Sequence, residues 1–442
     1  MQQNQTEELG TLSVGKLLFK LAMPAIAAQI INLLYNLVDR MYIGHIAKVG
    51  KLALTGVGVC LPLIMLISAF AALVSMGSAP RASIFLGKGE KDNAEKTLGN
   101  SFSLLVIISL ILTITFFCFS KDLLLAFGAS ENTIDYAVSY MKIYSIGTIF
   151  VQLTLGLNAF ISAQGFAKVS MMTVLIGAVC NIILDPILIF GFNMGVSGAA
   201  LATILSQSLS MIWIIIFLTG KKTTLKRKNL ILSKSIVLPS IALGLAPFIM
   251  QSTESIIAVC FNSSLLRYGG DIAVGAMTIL TSVMQFSLLP LTGLTQGGQP
   301  ILSYNYGARK PERVKKAFKI LLISCLSYSI ILWSLAMLTP KSFVLIFNND
   351  PELLEFTAHA LRIYMALSGI FGIQIACQQS FIALGNAKTS LFLALLRKVI
   401  LLIPLIYIMP LLMENKTAAV FMAEPVADFI AVTTTAILFY IQ

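Results

Sequence analysis

Residues 180–186 of the 442-residue chain place an acid inside a long apolar segment. The stretches on either side, 170–179 and 187–192, carry no charged residue. An unpaired charge at the centre of a bilayer costs about 2.5–3.5 kcal/mol or more, so such an acid usually faces a cavity or a transport pathway. Asn181 and Asp185 are four residues apart, so a helix presents them on one face. We interpret them as half of a buried site for a cation or a proton, with a polar contact between helices as the alternative.

Asp39 is a second acid within an apolar segment, and Arg40 follows it directly. Neighbouring residues on a helix point about 100° apart, so Asp39 can face the interior while Arg40 reaches the membrane surface. An interfacial pair of the two side chains is the alternative, although Asn36 one turn earlier favours a site. We predict that Asp39 and Asp185 share a depth in the outer half of the membrane. Two close carboxylates in a low dielectric repel each other, which favours either Na⁺ binding or uptake of a proton, and the residues do not distinguish the two.

The composition predicts the elements that must hold these acids. Apolar residues make up 57% of the chain and charged residues 11%, whereas ordinary soluble domains contain about 25% charged residues. Apolar runs of about 20 residues, the length that spans a bilayer, recur along the chain. We therefore predict an all-α polytopic membrane protein with twelve transmembrane helices. The six cysteines lie singly in apolar runs without a CxxC pair, and we expect them to be core residues.

The distribution of basic residues predicts the orientation of the chain. The net charge is +12, and Lys and Arg concentrate in the loops on one side of the predicted membrane. The positive-inside rule then places both termini in the cytoplasm. Because membrane orientation accounts for the positive net charge, we expect no nucleic-acid partner. We interpret the basic segment 220–233 as a cytoplasmic linker that can contact anionic lipid headgroups.

The two halves of the chain repeat. Residues 163–168 (AQGFAK) recur as 383–388 (ALGNAK), and 80–87 match 300–307, both at a shift of 220. Each repeat holds six predicted spans, an even number, so the copies are parallel and a substrate site between them is expected. The predicted domains are an N-terminal lobe, the linker and a C-terminal lobe, at residues 1–219, 220–233 and 234–442.

Several stretches together carry a resemblance to a known family. Residues 24–44, with Asn36-Leu-Val-Asp39 near their end, the segment 300–308 (PILSYNYGA) and the Asn181…Asp185-Pro186 helix resemble the multidrug and toxic compound extrusion (MATE) transporters. The sequence Gln-Gly-Gly-Gln-Pro at 296–300 is most similar to the bacterial MepA-like branch. The resemblance implies two six-helix lobes that form a V around a central cavity. It also implies export of cationic and amphipathic organic compounds, driven by inward flow of Na⁺ or H⁺.

The resemblance also implies a set of site residues. In the branch with a cation site in the N-terminal lobe, the matching positions are Asp39, Asn181, Asp185 and Thr203, which would be metal ligands only if Na⁺ is the coupling ion. A Glu that is often functional on the seventh helix is matched by Glu254. Another branch has an acid on the tenth helix, but residues 372–379 contain none. This argues against a coupling site of that type in the C-terminal lobe.

Other polar residues within the spans are candidates for a substrate cavity. Glu254 lies in a polar patch, where it either attracts a cationic substrate or holds helices together. The cavity candidates are Glu254, Gln251, Gln285, Gln29 and Gln296. A proline within a helix removes a backbone hydrogen bond, so Pro24 and Pro186 are candidate hinges.

We expect a multidrug efflux antiporter that needs no cofactor beyond its coupling ion, H⁺ or Na⁺. It should take cationic or amphipathic small molecules, act as a monomer and lie in the bacterial cytoplasmic membrane. The alternative is a lipid-linked sugar flippase of the same superfamily, which Arg397 and Lys398 within the eleventh span keep open. A membrane-embedded enzyme is disfavoured, since the chain has no HExxH, no nucleophile motif and no paired histidines.

Overall fold

The computed structural model describes residues 4–47, 49–226, 230–347 and 350–442. Residues 227–229, part of the predicted linker, lie outside the described residues. The described residues form helices and contain no strand. The predicted all-α fold is therefore confirmed.

The N-terminal half contains the first nine helices. A 57° bend separates α6 from α7, so together they form one candidate span. A π-helical turn, Ile187–Gly191, continues α8. The helices are α1 (Asn4–Thr11), α2 (Val14–Gly44), α3 (Gly50–Gly87), α4 (Lys91–Cys118), α5 (Ser120–Ala126), α6 (Ile134–Ile146), α7 (Thr148–Ala163), α8 (Ala167–Pro186) and α9 (Gly195–Thr219).

The C-terminal half repeats these irregularities. A 47° bend separates α13 from α14, and the π-helical segment Leu396–Leu402 joins α15 to α16. The recurrence of a bent pair and of a π-helical segment supports two copies of one unit. The helices are α10 (Lys234–Gly307), α11 (Pro311–Leu338), α12 (Pro340–Leu345), α13 (Pro351–Tyr364), α14 (Phe371–Ala383), α15 (Ala387–Leu395), α16 (Ile403–Leu412) and α17 (Lys416–Ile441).

The number of spans follows once the broken helices are interpreted. Nine helices within the described residues are long and apolar enough to cross a membrane, and the two bent pairs raise this number to eleven. The 74-residue α10 contains a break at Gly270, whose φ of 66° and ψ of −162° leave the helical region. Only glycine adopts such a backbone readily. Because α10 thus consists of two spans, the described residues contain the predicted twelve.

The two halves approach most closely through α3 and α10. A Cβ added to Gly77 would collide with the Ser240 carbonyl oxygen, and one added to Gly244 would collide with that of Leu73. Glycines let two helix backbones meet at short distance, as is common between membrane helices. These contacts join the backbones of α3 and α10, so the two helices pack the halves against each other.

Helix α2 belongs to both halves. Near its start, Leu17 and Leu21 join a buried apolar cluster with Leu291 and Ile301 of α10. Further along, α2 packs against α8. One continuous helix therefore connects the packing between the halves to the segment that carries Asp39.

Candidate functional site

The acid pair, Asp39 and Asp185, lies where α2 packs against α8. Asp185 is fully buried and Asp39 is half-buried. Their carboxyl groups are close enough to interact electrostatically. The structure thus brings together the two acids that the sequence places in separate apolar segments.

Asn181 lies one helical turn from Asp185, as their spacing predicts. Its Nδ2 donates to Asp185 Oδ1 at 3.2 Å. Among the described residues, Asn181 Oδ1, Asp185 Oδ2 and Asp39 Oδ1 are buried and accept no hydrogen bond. A buried oxygen without a donor is unfavourable, and a cluster of them suits a proton or a hard cation. The described residues hold no group of three or more His, Cys, Asp or Glu that could bind a metal, so neutral oxygens would have to complete a Na⁺ shell.

Thr203 of α9 is one such neutral oxygen. Its Oγ1 donates to the Ala199 carbonyl at 3.0 Å, which leaves the hydroxyl lone pairs available. The Tyr140 side chain lies close to Thr203. Tyr140 stacks on Tyr144 with ring centroids 6.0 Å apart. These two buried tyrosines were not proposed from the sequence, although their i, i+4 spacing within a span was a usable signal.

Asn36 is placed differently from the other candidates. Its side chain is exposed, and its Nδ2 donates to the Asn32 carbonyl at 2.6 Å. This hydrogen bond goes to the preceding turn of α2 rather than to either carboxylate. The structure therefore does not draw Asn36 into the acid pair.

A central cavity of about 490 Å³ lies between the two halves. Gln29 of α2 and Gln251 of α10 both line it, as does Gln296. Gln29 Nε2 donates to Gln296 Oε1 at 3.1 Å, which links the two halves across the cavity. Gln285 is exposed and is not among the residues that line this cavity.

A side cavity of about 60 Å³ leads from the central cavity towards the acids. The two cavities share Asn32 and Asn158 in their walls, and the side cavity also reaches Asn181 and Thr203. In the described residues, Asn158 Oδ1 and Gln207 Oε1 of this cavity are buried and unpartnered. Its wall therefore presents carbonyl oxygens, which favour a cation over an anion. Asn158 and Gln207 were missed from the sequence because single amides in apolar spans carry no spacing signal.

The candidate hinges lie close to these elements. Pro24 is buried inside α2, which continues through it without a break. Pro186 directly follows Asp185, and the π-helical turn begins at the next residue. Such turns are frequent at functional sites because they widen the helix and redirect side chains.

A second charged group, the C-terminal ion cluster, occupies the other half. It consists of Glu254, Arg397, Lys398, Glu424 and Asp428. Arg397 Nε donates to Asp428 Oδ1 at 2.7 Å and its Nη2 donates to Glu424 Oε1 at 2.8 Å. Lys398 Nζ donates to Glu254 Oε1 at 2.6 Å.

In this cluster Arg397 and Lys398 are paired with carboxylates, contrary to what a flippase for a lipid-linked sugar would need. Both side chains are buried and bound to carboxylates, so they do not present a free positive surface for a lipid diphosphate. Glu424 and Asp428 were missed from the sequence. Their i, i+4 spacing inside a span is the same signal that identified Asn181 and Asp185.

Twelve spans in two repeated halves, with a central cavity between the halves and acids buried beside it, define a polytopic membrane transporter. The MatE family model matches residues 24–187 and 247–408, once in each half. The chain belongs to this family, as the resemblance in the sequence predicts.

Several relatives match nearly the whole chain. Multidrug export protein MepA of Staphylococcus haemolyticus is 26% identical over 425 residues, which cover 95% of this chain and 92% of the relative. The MepA of Staphylococcus aureus strain NCTC 8325 is 26% identical over 401 residues, with 90% and 87% covered. The MATE multidrug transporter DinF-BH, solved in complex with a dye, is 32% identical with a TM-score of 0.90 and coverage of 99% and 98%. A MATE structure in the bent conformation is 22% identical and shares the fold with a TM-score of 0.92 over 99% and 97% of the two chains.

Proposed function

We propose that this protein is a multidrug efflux antiporter that exchanges cationic or amphipathic organic compounds for H⁺ or Na⁺. The observation that carries the proposal is the acid pair, which lies beside a cavity of unpartnered oxygens that adjoins the central cavity. The names of the MepA relatives and the dye-bound DinF-BH structure support small-molecule substrates.

The acid pair has two states that differ in charge. Without a bound ion or proton, Asp39 and Asp185 repel each other in a low dielectric. A proton or a cation removes that repulsion and allows the carboxyl groups to stay together. If Na⁺ is the coupling ion, Asp39, Asp185, Asn181 and Thr203 would hold it and it would supply the neutralising charge.

Helix α2 transmits the change of state to the rest of the molecule. Asp39 lies in the segment of α2 that packs on α8, while the start of α2 packs on α10. Separation of the two carboxylates therefore shifts α2 relative to α8 and alters the walls of the central cavity. Inward movement of the ion and outward release of the substrate are coupled because both depend on the position of α2.

The central cavity suits amphipathic compounds. Gln29, Gln251 and Gln296 provide neutral polar contacts, while Leu21 and Met76 provide apolar ones. A methionine repacks around different ligands, which favours broad specificity. We place the protein as a monomer in the bacterial plasma membrane, in contact with its lipids. The bias of basic residues supports cytoplasmic termini.

The proposal is tested by efflux of a fluorescent cationic dye in everted membrane vesicles that contain the wild-type protein. A pH gradient and a Na⁺ gradient are imposed separately, and vesicles without the protein serve as the control. Transport that responds to one gradient supports antiport and identifies the ion. Dye movement that is the same with and without both gradients contradicts it.

A further inference from the structure

Helix α1 contacts both halves on the side of the membrane where the chain begins. The connection between α7 and α8 follows four spans and the connection between α10 and α11 follows eight, so both return to that side. Leu9 of α1 is fully buried, in one cluster with Ala167 of the N-terminal half and Ile301 of the C-terminal half. One short helix therefore packs where the two halves meet.

The C-terminal half holds the last turn of α1. The final carbonyl groups of a helix have no partner within the helix itself. Here Asn305 Nδ2 and Arg313 Nη2 donate to the Leu9 carbonyl at 2.8 and 3.2 Å. Lys310 Nζ donates to the Gly10 carbonyl at 2.9 Å. Positive side chains stabilise the carboxyl end of a helix, and charged donors make the stronger hydrogen bonds, so this attachment is firm.

The N-terminal half holds α1 through one polar side chain, that of Thr6. Its Oγ1 donates to the Gln164 carbonyl at 3.0 Å and lies 2.8 Å from the Thr224 hydroxyl. Thr224 is itself fixed to this half, because its backbone N–H donates to Gln164 Oε1 at 2.8 Å. Hydrogen bonds between neutral groups are roughly half as strong as those with a charged donor. The Thr6 contacts are therefore the weaker of the two attachments.

The amides that hold α1 and the linker occur where the two repeats differ. At the shift of 220 that relates the halves, Asn305 corresponds to Phe85 and Gln164 corresponds to Leu384. The apolar counterparts show that the repeated fold does not need an amide at either position. The contacts with α1 and the linker account for both amides.

We propose that α1 is a strap that holds the two halves together on this side of the membrane, and that the Thr6 contacts must break before the central cavity opens there, while α1 stays on the C-terminal half. The inference rests on the proposed antiport, which requires the cavity to open to each side in turn. Lys20 of α2 forms an ion pair with Glu8 of α1, so a shift of α2 is passed on to the strap. Release of the strap is thereby linked to the state of the acid pair.

The distance between the halves tests this inference. Spin labels are placed at Asp92 and Glu312, two exposed positions that the repeat relates, in an otherwise cysteine-free full-length protein, and double electron–electron resonance is recorded. Thr6→Val removes the hydroxyl and keeps the shape. It should raise the ratio of separated to closed molecules about tenfold, because two hydrogen bonds are lost. Thr11→Val is the control and should leave the ratio unchanged, since its exposed hydroxyl donates to the Glu7 carbonyl of its own helix.

A reversible cross-link decides the matter if Thr6→Val does not fold. The pair Thr6→Cys and Thr224→Cys, in the same cysteine-free protein, places two sulfurs where the hydroxyl oxygens lie 2.8 Å apart. Oxidation with copper phenanthroline should abolish dye efflux in vesicles, and dithiothreitol should restore it.

Two results would overturn the proposal. One is dye efflux by the oxidised pair at the rate of the reduced pair, and the other is a wild-type distance ratio in folded Thr6→Val. If the wild-type protein exports dye while the ratio is unchanged, only the strap fails. If the wild-type protein exports no dye, the proposed function fails, and the distance ratio still decides whether α1 holds the halves together.

Discussion

Asp185→Asn should abolish ion-coupled export while the protein still folds. Asp185 is fully buried, and its Oδ1 accepts from Asn181 Nδ2. An asparagine has nearly the same shape and retains a carbonyl oxygen for that hydrogen bond. The substitution removes one of the two negative charges at the ion site. It should therefore weaken ion binding without disturbing the packing of the helices.

The expected magnitude follows from the lost charge. A unit charge about 4 Å from a bound cation contributes about 4 kcal/mol at an effective dielectric constant of 20, which corresponds to about a thousandfold in affinity. Dye efflux in everted vesicles should therefore fall to the level of vesicles without the protein. Asp135→Asn is the matched control, because it makes the same change at an exposed position on α6 and should leave efflux unchanged.

Two quantities must be measured: the amount of protein in the membrane and the rate of dye efflux. The amount of protein in the membrane must equal that of the wild type, so that lost efflux reflects lost coupling. Efflux by Asp185→Asn at the wild-type rate and with the wild-type response to the gradient would refute the assigned role of the acid pair.

Three further predictions concern other elements. Gly244→Ala should lower the thermal unfolding midpoint, because the new Cβ would collide with the Leu73 carbonyl. Gly58→Ala is the control and should leave the midpoint unchanged, because no atom lies within 4 Å of its new Cβ. Equal midpoints for the two variants would contradict the close approach of α3 and α10. Arg397→Met should lower the free energy of unfolding by about 3–5 kcal/mol, measured by denaturant titration, because it leaves two buried carboxylates without their partner. A free energy of unfolding equal to that of the wild type would show that Arg397 is not needed to stabilise the two buried carboxylates. Pro186→Ala should slow dye efflux several-fold while dye binding persists, and an unchanged efflux rate would argue against a hinge role.

Much of the fold was predictable because a bilayer allows few structures. Each span must satisfy its own backbone hydrogen bonds, so the apolar runs predict helices and their number. The repeat at 163–168 and 383–388 predicts two equivalent halves. The breaks inside the spans were harder to predict from the sequence. The bend between α6 and α7 and the irregular backbone at Gly270 arise from packing between helices.

The acids of the candidate site were predictable because burying a charge in an apolar span is energetically unfavourable. Asp39 and Asp185 stand out because an acid rarely occurs in an apolar span, and the structure brings the two acids close to each other where α2 packs on α8. The surroundings were not predictable in the same way. Asn158 reaches the side cavity only through the arrangement of α7, and Asn36 turns to its own helix instead of the acids. Pairwise contacts of this kind depend on the rotation of each helix, which one sequence does not specify.

Because ion binding at the acid pair and substrate binding both depend on the position of α2, substrate binding should release an ion from the acid pair. It is tested most directly by adding a cationic dye to purified protein in weakly buffered solution while proton release and Na⁺ release are recorded. The wild-type protein should release one of these ions in proportion to the dye bound. The double variant Asp39→Asn/Asp185→Asn should release neither. Equal ion release from the wild type and the double variant would contradict the account.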